Sequence, residues 1–174
     1  MSSTNRKSRK RSKYDHYETP RHTVLSLLKN HEIKYPILEP CAGYGSVANI
    51  LQMNGEVITN DIDPNMECNY NFDYLLWDPG NGFKTILTNP PFNLAEQIIV
   101  KSIQDIEIGG EVIMLLRLDF LGTEKRQIFW KDYPAKQIYV LSKRPRFLRS
   151  GDSNEYGWYV WEKGWTGKTT LEII

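Results

Sequence analysis

The chain has 174 residues, 40% of them hydrophobic and 25% charged, with 22 Lys and Arg against 21 Asp and Glu; this is the make-up of one ordinary globular unit rather than of a disordered or membrane-embedded chain. Two cysteines, Cys41 and Cys68, supply neither a disulfide framework nor a structural zinc set, and imply free thiols in a reducing, cytoplasmic setting. No apolar run approaches the ~20 residues that span a bilayer, and no apolar stretch follows the basic start, which argues against a membrane span and a secretory signal.

The net charge of +1 conceals a separation: Arg6, Lys7, Arg9, Lys10, Arg11 and Lys13 place six cations and no acid in residues 1–13, leaving the rest net acidic by five. With no large apolar side chain before Tyr14, this segment cannot offset the entropy of ordering, and it is expected as a disordered basic arm that either touches phosphates or acts as a solubilising tail. Thr19-Pro20 is then expected to cap and open a helix carrying Val24, Leu25, Leu27 and Leu28, with Thr as cap and Pro in the first turn. Four short apolar runs bounded by Gly, Pro, Asn or Asp read as buried strands, at 36–39, 56–60, 85–88 and 111–117. Between them, Val47, Ala48 and Leu51 share a helix face that ends at Asn54-Gly55 in a left-handed turn. Leu94, Ala95, Ile98, Ile99, Ile103 and Ile106 repeat at three and four until Gly109-Gly110. This alternation predicts an α/β fold, a mostly parallel central sheet with helices on both faces. Past Asp132 the runs 136–141 and 156–162 flank a turn-rich Gly151-Asp152-Ser153-Asn154 and predict an antiparallel hairpin at one sheet edge.

Three strand ends carry chemistry. After the first strand comes Glu39-Pro40-Cys41-Ala42-Gly43-Tyr44-Gly45, where the glycines allow a tight turn and close ligand approach. Gly43, Gly45 and Ala48 also fit a dinucleotide fingerprint, and an ordinary tight turn explains them as often. A carboxylate at Glu39 shifts the balance, because it suits an ammonium group and repels a pyrophosphate. The second strand ends at Asn60-Asp61-Ile62-Asp63, so Asp61 is placed to accept ribose hydroxyls. Asp73, in Phe72-Asp73-Tyr74-Leu75, reads either as the end of a further strand, accepting from an adenine amine, or as a plain loop residue. The next strand delivers Asn89-Pro90-Pro91-Phe92. Two prolines stiffen that corner and remove two donors, leaving the Asn89 side-chain carbonyl and the Pro90 backbone carbonyl as acceptors for a planar amine, with Phe92 to stack on its ring. Between Pro134 and Ser150, the cations Lys136, Lys143, Arg144, Arg146 and Arg149 occur beside Tyr139 and Phe147 with no acid among them, the combination that bases and phosphates use.

From about Tyr14 to Glu162 the chain resembles the S-adenosylmethionine-dependent amino-methyltransferases of the DNA N6-adenine type. The likeness rests most on Asn89-Pro90-Pro91-Phe92 and on the Glu39-Pro40-Cys41-Ala42-Gly43-Tyr44-Gly45 loop. Tyr17-Glu18-Thr19-Pro20 is similar to the segment that holds the methionine carboxylate, and Arg144-Pro145-Arg146-Phe147 lies where an aromatic stacks on the extruded base. The resemblance implies a Rossmann-like class I methyltransferase of one catalytic domain over 14–174, using S-adenosyl-L-methionine, releasing S-adenosyl-L-homocysteine and needing no metal. Its cofactor residues would be Tyr17, Thr19, Pro20, Glu39, Pro40, Cys41, Ala42, Gly43, Gly45, Asp61, Ile62, Asp73 and Tyr74. Asn89, Pro90, Pro91 and Phe92 would be catalytic, while Lys143, Arg144, Arg146, Phe147 and Arg149 would hold DNA. Residues 97–147 leave no room for a target-recognition domain, so specificity would come from short loops, the arm or a partner chain, as in small phage-type and accessory enzymes. RNA adenine, cytosine N4 and protein glutamine offer the same planar amine. A dinucleotide oxidoreductase leaves Asn89 to Phe92 unexplained, and a catalytically silent nucleic-acid-binding subunit would keep every motif.

Overall fold

The computed structural model describes residues 17–147 and 153–174; the basic arm, Arg149 and Gly151-Asp152 lie outside them. In chain order the elements are α1 (Arg21–Asn30), β1 (Ile37–Glu39), α2 (Ala48–Leu51), β2 (Val57–Thr59), β3 (Thr85–Thr88), α3 (Ala95–Asp105), β4 (Glu111–Arg117), two short 3₁₀ turns at 118–121 and 124–126, α4 (Gln127–Asp132), β5 (Gln137–Val140), β6 (Tyr156–Glu162) and β7 (Thr170–Ile173). One seven-stranded sheet runs β2-β1-β3-β4-β6-β5-β7. Four of its pairings are parallel, and β6 runs antiparallel to both β4 and β5. The hairpin-like pair β5 and β6 sits at the predicted end of the sheet, with β7 added outside it. Every residue of β7 is exposed, so the sequence carries no burial pattern that reveals it.

The period of two along the strands divides the core into halves. Ile37, Leu87, Ile113, Leu115, Tyr139, Trp158 and Val160 face α1 and α2, which contribute Val24, Leu27, Ala48 and Leu51. Their neighbours Leu38, Ile86, Val112, Met114, Leu116, Ile138, Tyr159 and Trp161 face Ala95, Ile98 and Ile99 of α3 and Phe129 of α4. Because both faces are covered, the strands read as continuous apolar runs rather than as half-polar ones.

Three local expectations are corrected. Thr19 does not cap α1: the helix starts after Pro20, whose carbonyl accepts from Thr23 N at 3.0 Å, and no side chain caps it. Gly55 does not take a left-handed conformation; it is small because a Cβ there would lie 2.4 Å from the Tyr35 ring. No strand forms at Phe72–Leu75, where the backbone makes only turns after a single isolated bridge between Asn60 and Tyr70. Asparagine side chains replace the missing ladder. Asn69 Oδ1 accepts from Thr59 N at 2.8 Å, Asn71 Nδ2 donates to Asp63 O at 3.0 Å, and Asn60 Oδ1 accepts from Phe72 N at 2.9 Å. Asn competes well for backbone groups in this way, which is why such stretches do not extend into strands.

Candidate active site

In an open parallel sheet, ligands bind beyond the carboxyl ends of the strands where the strand order reverses. Here β1 is followed by β2 on one side and by β3 on the other, so the crevice opens between the ends of β1 and β3. A cavity of about 700 Å³ lies there, within the range of small-molecule sites. It is lined by the loops after β1, β2 and β3, by the last residue of β4 and by the approach to α1. Of the sequence-expected residues, the cavity brings together Tyr17, Thr19, Glu39, Pro40, Cys41, Ala42, Gly43, Asp61, Ile62, Asp73, Tyr74, Asn89, Pro90, Pro91 and Phe92. Pro20 and Gly45 are not among the lining residues: Pro20 directly precedes α1, and Gly45, like Gly43, takes a positive φ, 73° and 52°, in the turn after β1.

The loop after β1 is pinned from two sides. Thr88 Oγ1 donates to Cys41 O at 3.2 Å, and Asn60 Nδ2 donates to Pro40 O at 3.0 Å. Glu39 is 1% exposed, and its Oε2 has no hydrogen-bond partner among the described residues. Burial pushes the Glu39 carboxyl well above the usual range; the nearby Ala48 N–H draws it down and the Asp61 carboxylate raises it. Burial, aided by Asp61 and Glu39, also pushes the Cys41 thiol far up, which disfavours its thiolate form. Asp61 differs from Glu39: Oδ2 accepts from Gly43 N at 2.8 Å and Oδ1 from Asp63 N at 2.9 Å. Asp73 Oδ1 accepts from Leu75 N at 3.0 Å in a turn. Tyr74 is buried, its hydroxyl 3.0 Å from Ser102 Oγ and its ring 5.2 Å beneath Lys101 Nζ.

At the end of β3, Asn89 Nδ2 donates to Thr19 Oγ1 at 3.1 Å, and Asn89 Oδ1 is buried without a partner among the described residues. Phe92 stands beside it with the Arg117 guanidinium over its ring, 4.8 Å from the centroid. Arg117 Nε donates to Tyr156 Oη at 3.3 Å. Both Phe92 and Arg117 also wall a smaller cleft of about 210 Å³ that contains Asp119, Thr123 and Arg126. Sequence reasoning missed Arg117, along with Tyr44, Phe72 and Leu75 of the cavity wall. The signal for Arg117 was its place at the carboxyl end of β4, the same edge that carries Glu39 and Asn89.

The basic segment after β5 is arranged differently from its sequence reading. Phe147 does not line the cavity; its ring packs edge-on against Tyr156 at 5.0 Å and Tyr17 at 6.2 Å. Arg144 Nε donates to Glu155 Oε1 at 2.6 Å, so its charge is shared with an acid that lies outside the run. Lys143 and Arg146 are exposed.

No protein-family model and no curated protein matches the sequence. Solved structures match in shape. A Listeria monocytogenes protein assigned as a class I S-adenosylmethionine-dependent methyltransferase superposes with a TM-score of 0.65 at 14% identity, over 87% of this chain and 62% of that one. The fold is that of the class I methyltransferases. The M protein of the type I restriction enzyme EcoKI gives 0.64 at 15% identity over 86% of this chain and 44% of its own. A dimethyladenosine transferase from Plasmodium falciparum gives 0.60 at 16% over 84% and 62%. The chain therefore spans about three fifths of the Listeria protein and under half of the M protein. Among the described residues no helix is long and apolar enough to cross a membrane.

Proposed function

We propose that this chain transfers a methyl group from S-adenosyl-L-methionine to the exocyclic N6 amine of adenine in DNA. The observation that carries the reading is Asn89 Oδ1, buried, unpartnered and part of a cavity-lining proline corner. An exocyclic NH₂ offers two hydrogens and suits acceptors without competing donors; Pro90 and Pro91 have no N–H to interfere.

The remaining residues fit the cofactor. The unpartnered Glu39 Oε2 suits its ammonium group, because a buried carboxylate gains most from a neighbouring cation. Gly43 and Gly45 keep side chains out of its path, and Asp61 retains lone pairs for ribose hydroxyls beyond its two backbone bonds. Ile62, Phe72, Asp73 and Tyr74 would wall the adenine end, and Tyr17 and Thr19, held by Pro20, the carboxylate end. When bound, S-adenosyl-L-methionine supplies an electrophilic methyl group on a sulfonium sulfur.

Asn89 Oδ1 and the Pro90 carbonyl then accept the two amine hydrogens, draw the nitrogen lone pair out of conjugation with the ring and aim it into the cavity. The nitrogen would take the methyl carbon as that carbon's bond to sulfur breaks with the electron pair staying on sulfur, and would then shed one proton to water, so no strong base is required. Orientation of this kind is worth on the order of 7 to 11 kcal/mol. A base leaving duplex DNA costs a few kcal/mol, which stacking against the Phe92 and Arg117 pair would offset. Lys143, Arg146 and Arg149, with the arm, would contact the DNA backbone, and specificity would rest with short loops or a partner chain.

The test is incubation of the chain with isotopically labelled cofactor and a mixture of DNA and RNA, followed by nucleoside mass spectrometry. Labelled N6-methyldeoxyadenosine is the expected product. Label in N6-methyladenosine would move the substrate to RNA, and cofactor binding without any labelled nucleoside would overturn the reading in favour of a silent subunit.

A further inference from the structure

Asn89 serves a target amine only when its amide oxygen, and not its NH₂, faces the cleft; the two orientations differ by half a turn about the last side-chain bond. Thr19 Oγ1 is the group that touches this amide, accepting from Nδ2 at 3.1 Å. A hydroxyl both donates and accepts, so taken alone it satisfies either orientation. What decides the polarity of the contact is the destination of the Thr19 proton. Thr19 is 6% exposed and lines the cavity, and among the described residues no acceptor pairs with its O–H. The proton is therefore available to something inside the cavity.

We infer that Thr19 is a positioning residue that couples the two halves of the cavity. An anionic oxygen in the cofactor half takes the Thr19 proton, Thr19 can then only accept from Asn89 Nδ2, and Asn89 Oδ1 is turned toward the target amine. With that half empty, Thr19 is free to donate to Asn89 Oδ1, and the amide presents NH₂ to a group that is itself a donor. The target half becomes competent when the cofactor half is filled. This rests on the proposed reading that the cofactor's carboxylate is the anion.

Coupling of this kind is reciprocal and commonly amounts to 5- to 150-fold in affinity. The experiment uses the full chain and a short oligonucleotide with an unpaired adenine, its affinity read by fluorescence anisotropy with and without saturating S-adenosylhomocysteine. Affinity for S-adenosylhomocysteine is measured separately by calorimetry. Wild type and Thr19→Ser, which keeps the hydroxyl, are expected to bind the oligonucleotide about tenfold more tightly once S-adenosylhomocysteine is present. Thr19→Val, nearly the same shape without the hydroxyl, is expected to lose that tightening and to show a lower kcat. Should Thr19→Val fail to fold, Thr19→Ala carries the same test. Full tightening in the valine or alanine variant, or a serine variant that behaves like valine, overturns the coupling. A wild-type chain that gives no calorimetric heat with S-adenosylhomocysteine overturns the cofactor reading instead, so the two failures are distinguishable.

Discussion

Two asparagines stand at corresponding places, each directly after a parallel strand, and the structure treats them in opposite ways. Asn60, after β2, is 0% exposed and uses its whole amide: Nδ2 donates to Pro40 O and Phe72 O, both at 3.0 Å, while Oδ1 accepts from Phe72 N at 2.9 Å. Asn89, after β3, bonds among the described residues through Nδ2 alone and leaves Oδ1 buried without a partner there. The acids beside them repeat the contrast. Asp61 has a backbone N–H on each oxygen, whereas Glu39 Oε2 has none. A buried polar atom without a partner costs roughly 1 to 3 kcal/mol, so the side of the crevice that bears that cost, the ends of β1 and β3, is the side arranged for a ligand. On the other side, from Asn60 to Leu75, the carboxylates that face the same cavity, like Asn60 beside them, already hold backbone partners.

Substitutions can sharpen or break this division. The largest effect is expected at Asn89→Ala, which should slow methyl transfer by two or more orders of magnitude, the roughly 3 to 4 kcal/mol scale of removing one preorganised polar group. Its melting temperature and cofactor affinity should stay near wild type; single-turnover kinetics beside a thermal scan would show this, and unimpaired turnover would remove Asn89 from the chemistry. Asn60→Ala should do the reverse. It strands the Pro40 and Phe72 backbone groups and is expected to cost about 3 kcal/mol of stability in urea unfolding, so a neutral result would erase the distinction between the two residues.

Glu39 comes next. Its folded pKa is raised, chiefly by burial, so in the free protein it contributes stability below its unfolded value that is lost as pH rises through the raised folded value. A cationic partner needs the ionised form. Cofactor affinity should therefore rise with pH across that window and binding should release a proton, which calorimetry in two buffers of different ionisation heat would detect. Glu39→Gln should abolish the proton release and weaken binding roughly tenfold or more, as expected when a charge-assisted hydrogen bond is removed. Removal of residues 1–13 should have the smallest effect: DNA affinity falls, the salt slope flattens by about one for each phosphate the arm no longer neutralises, and the melting temperature is unchanged. An unaltered slope would leave the arm as a solubilising tail.

The same contrast explains what was legible in the sequence. β3, β4 and β6 occupy the predicted 85–88, 111–117 and 156–162, because a strand buried on both faces writes an uninterrupted apolar run and Asn-Pro-Pro ends one abruptly. The Asn89 corner was legible for the same reason. The segment from Asn60 to Trp77 was not: its order comes from asparagine side chains reaching backbone groups up to 20 residues away, and such bonds leave no period. Residues 118–132 form turns of three to six residues around Phe120 and Phe129, too short for a helical repeat to show. Thr19 could be assigned to the cavity but not to Asn89, which lies 70 residues away. The basic run after β5 looked like a free charge because Glu155, which neutralises Arg144, follows the turn rather than falling within the run.

The proposed chemistry stands on the direction in which one amide points when both ligands are present, and the most direct measurement is a crystal structure of the chain with S-adenosylhomocysteine and an adenine-containing oligonucleotide. The expected result is adenine N6 within about 3 Å of Asn89 Oδ1, the hydrogen-bond range, with Nδ2 still on Thr19. An adenine bound away from the proline corner, or Asn89 Nδ2 facing the base, would contradict it.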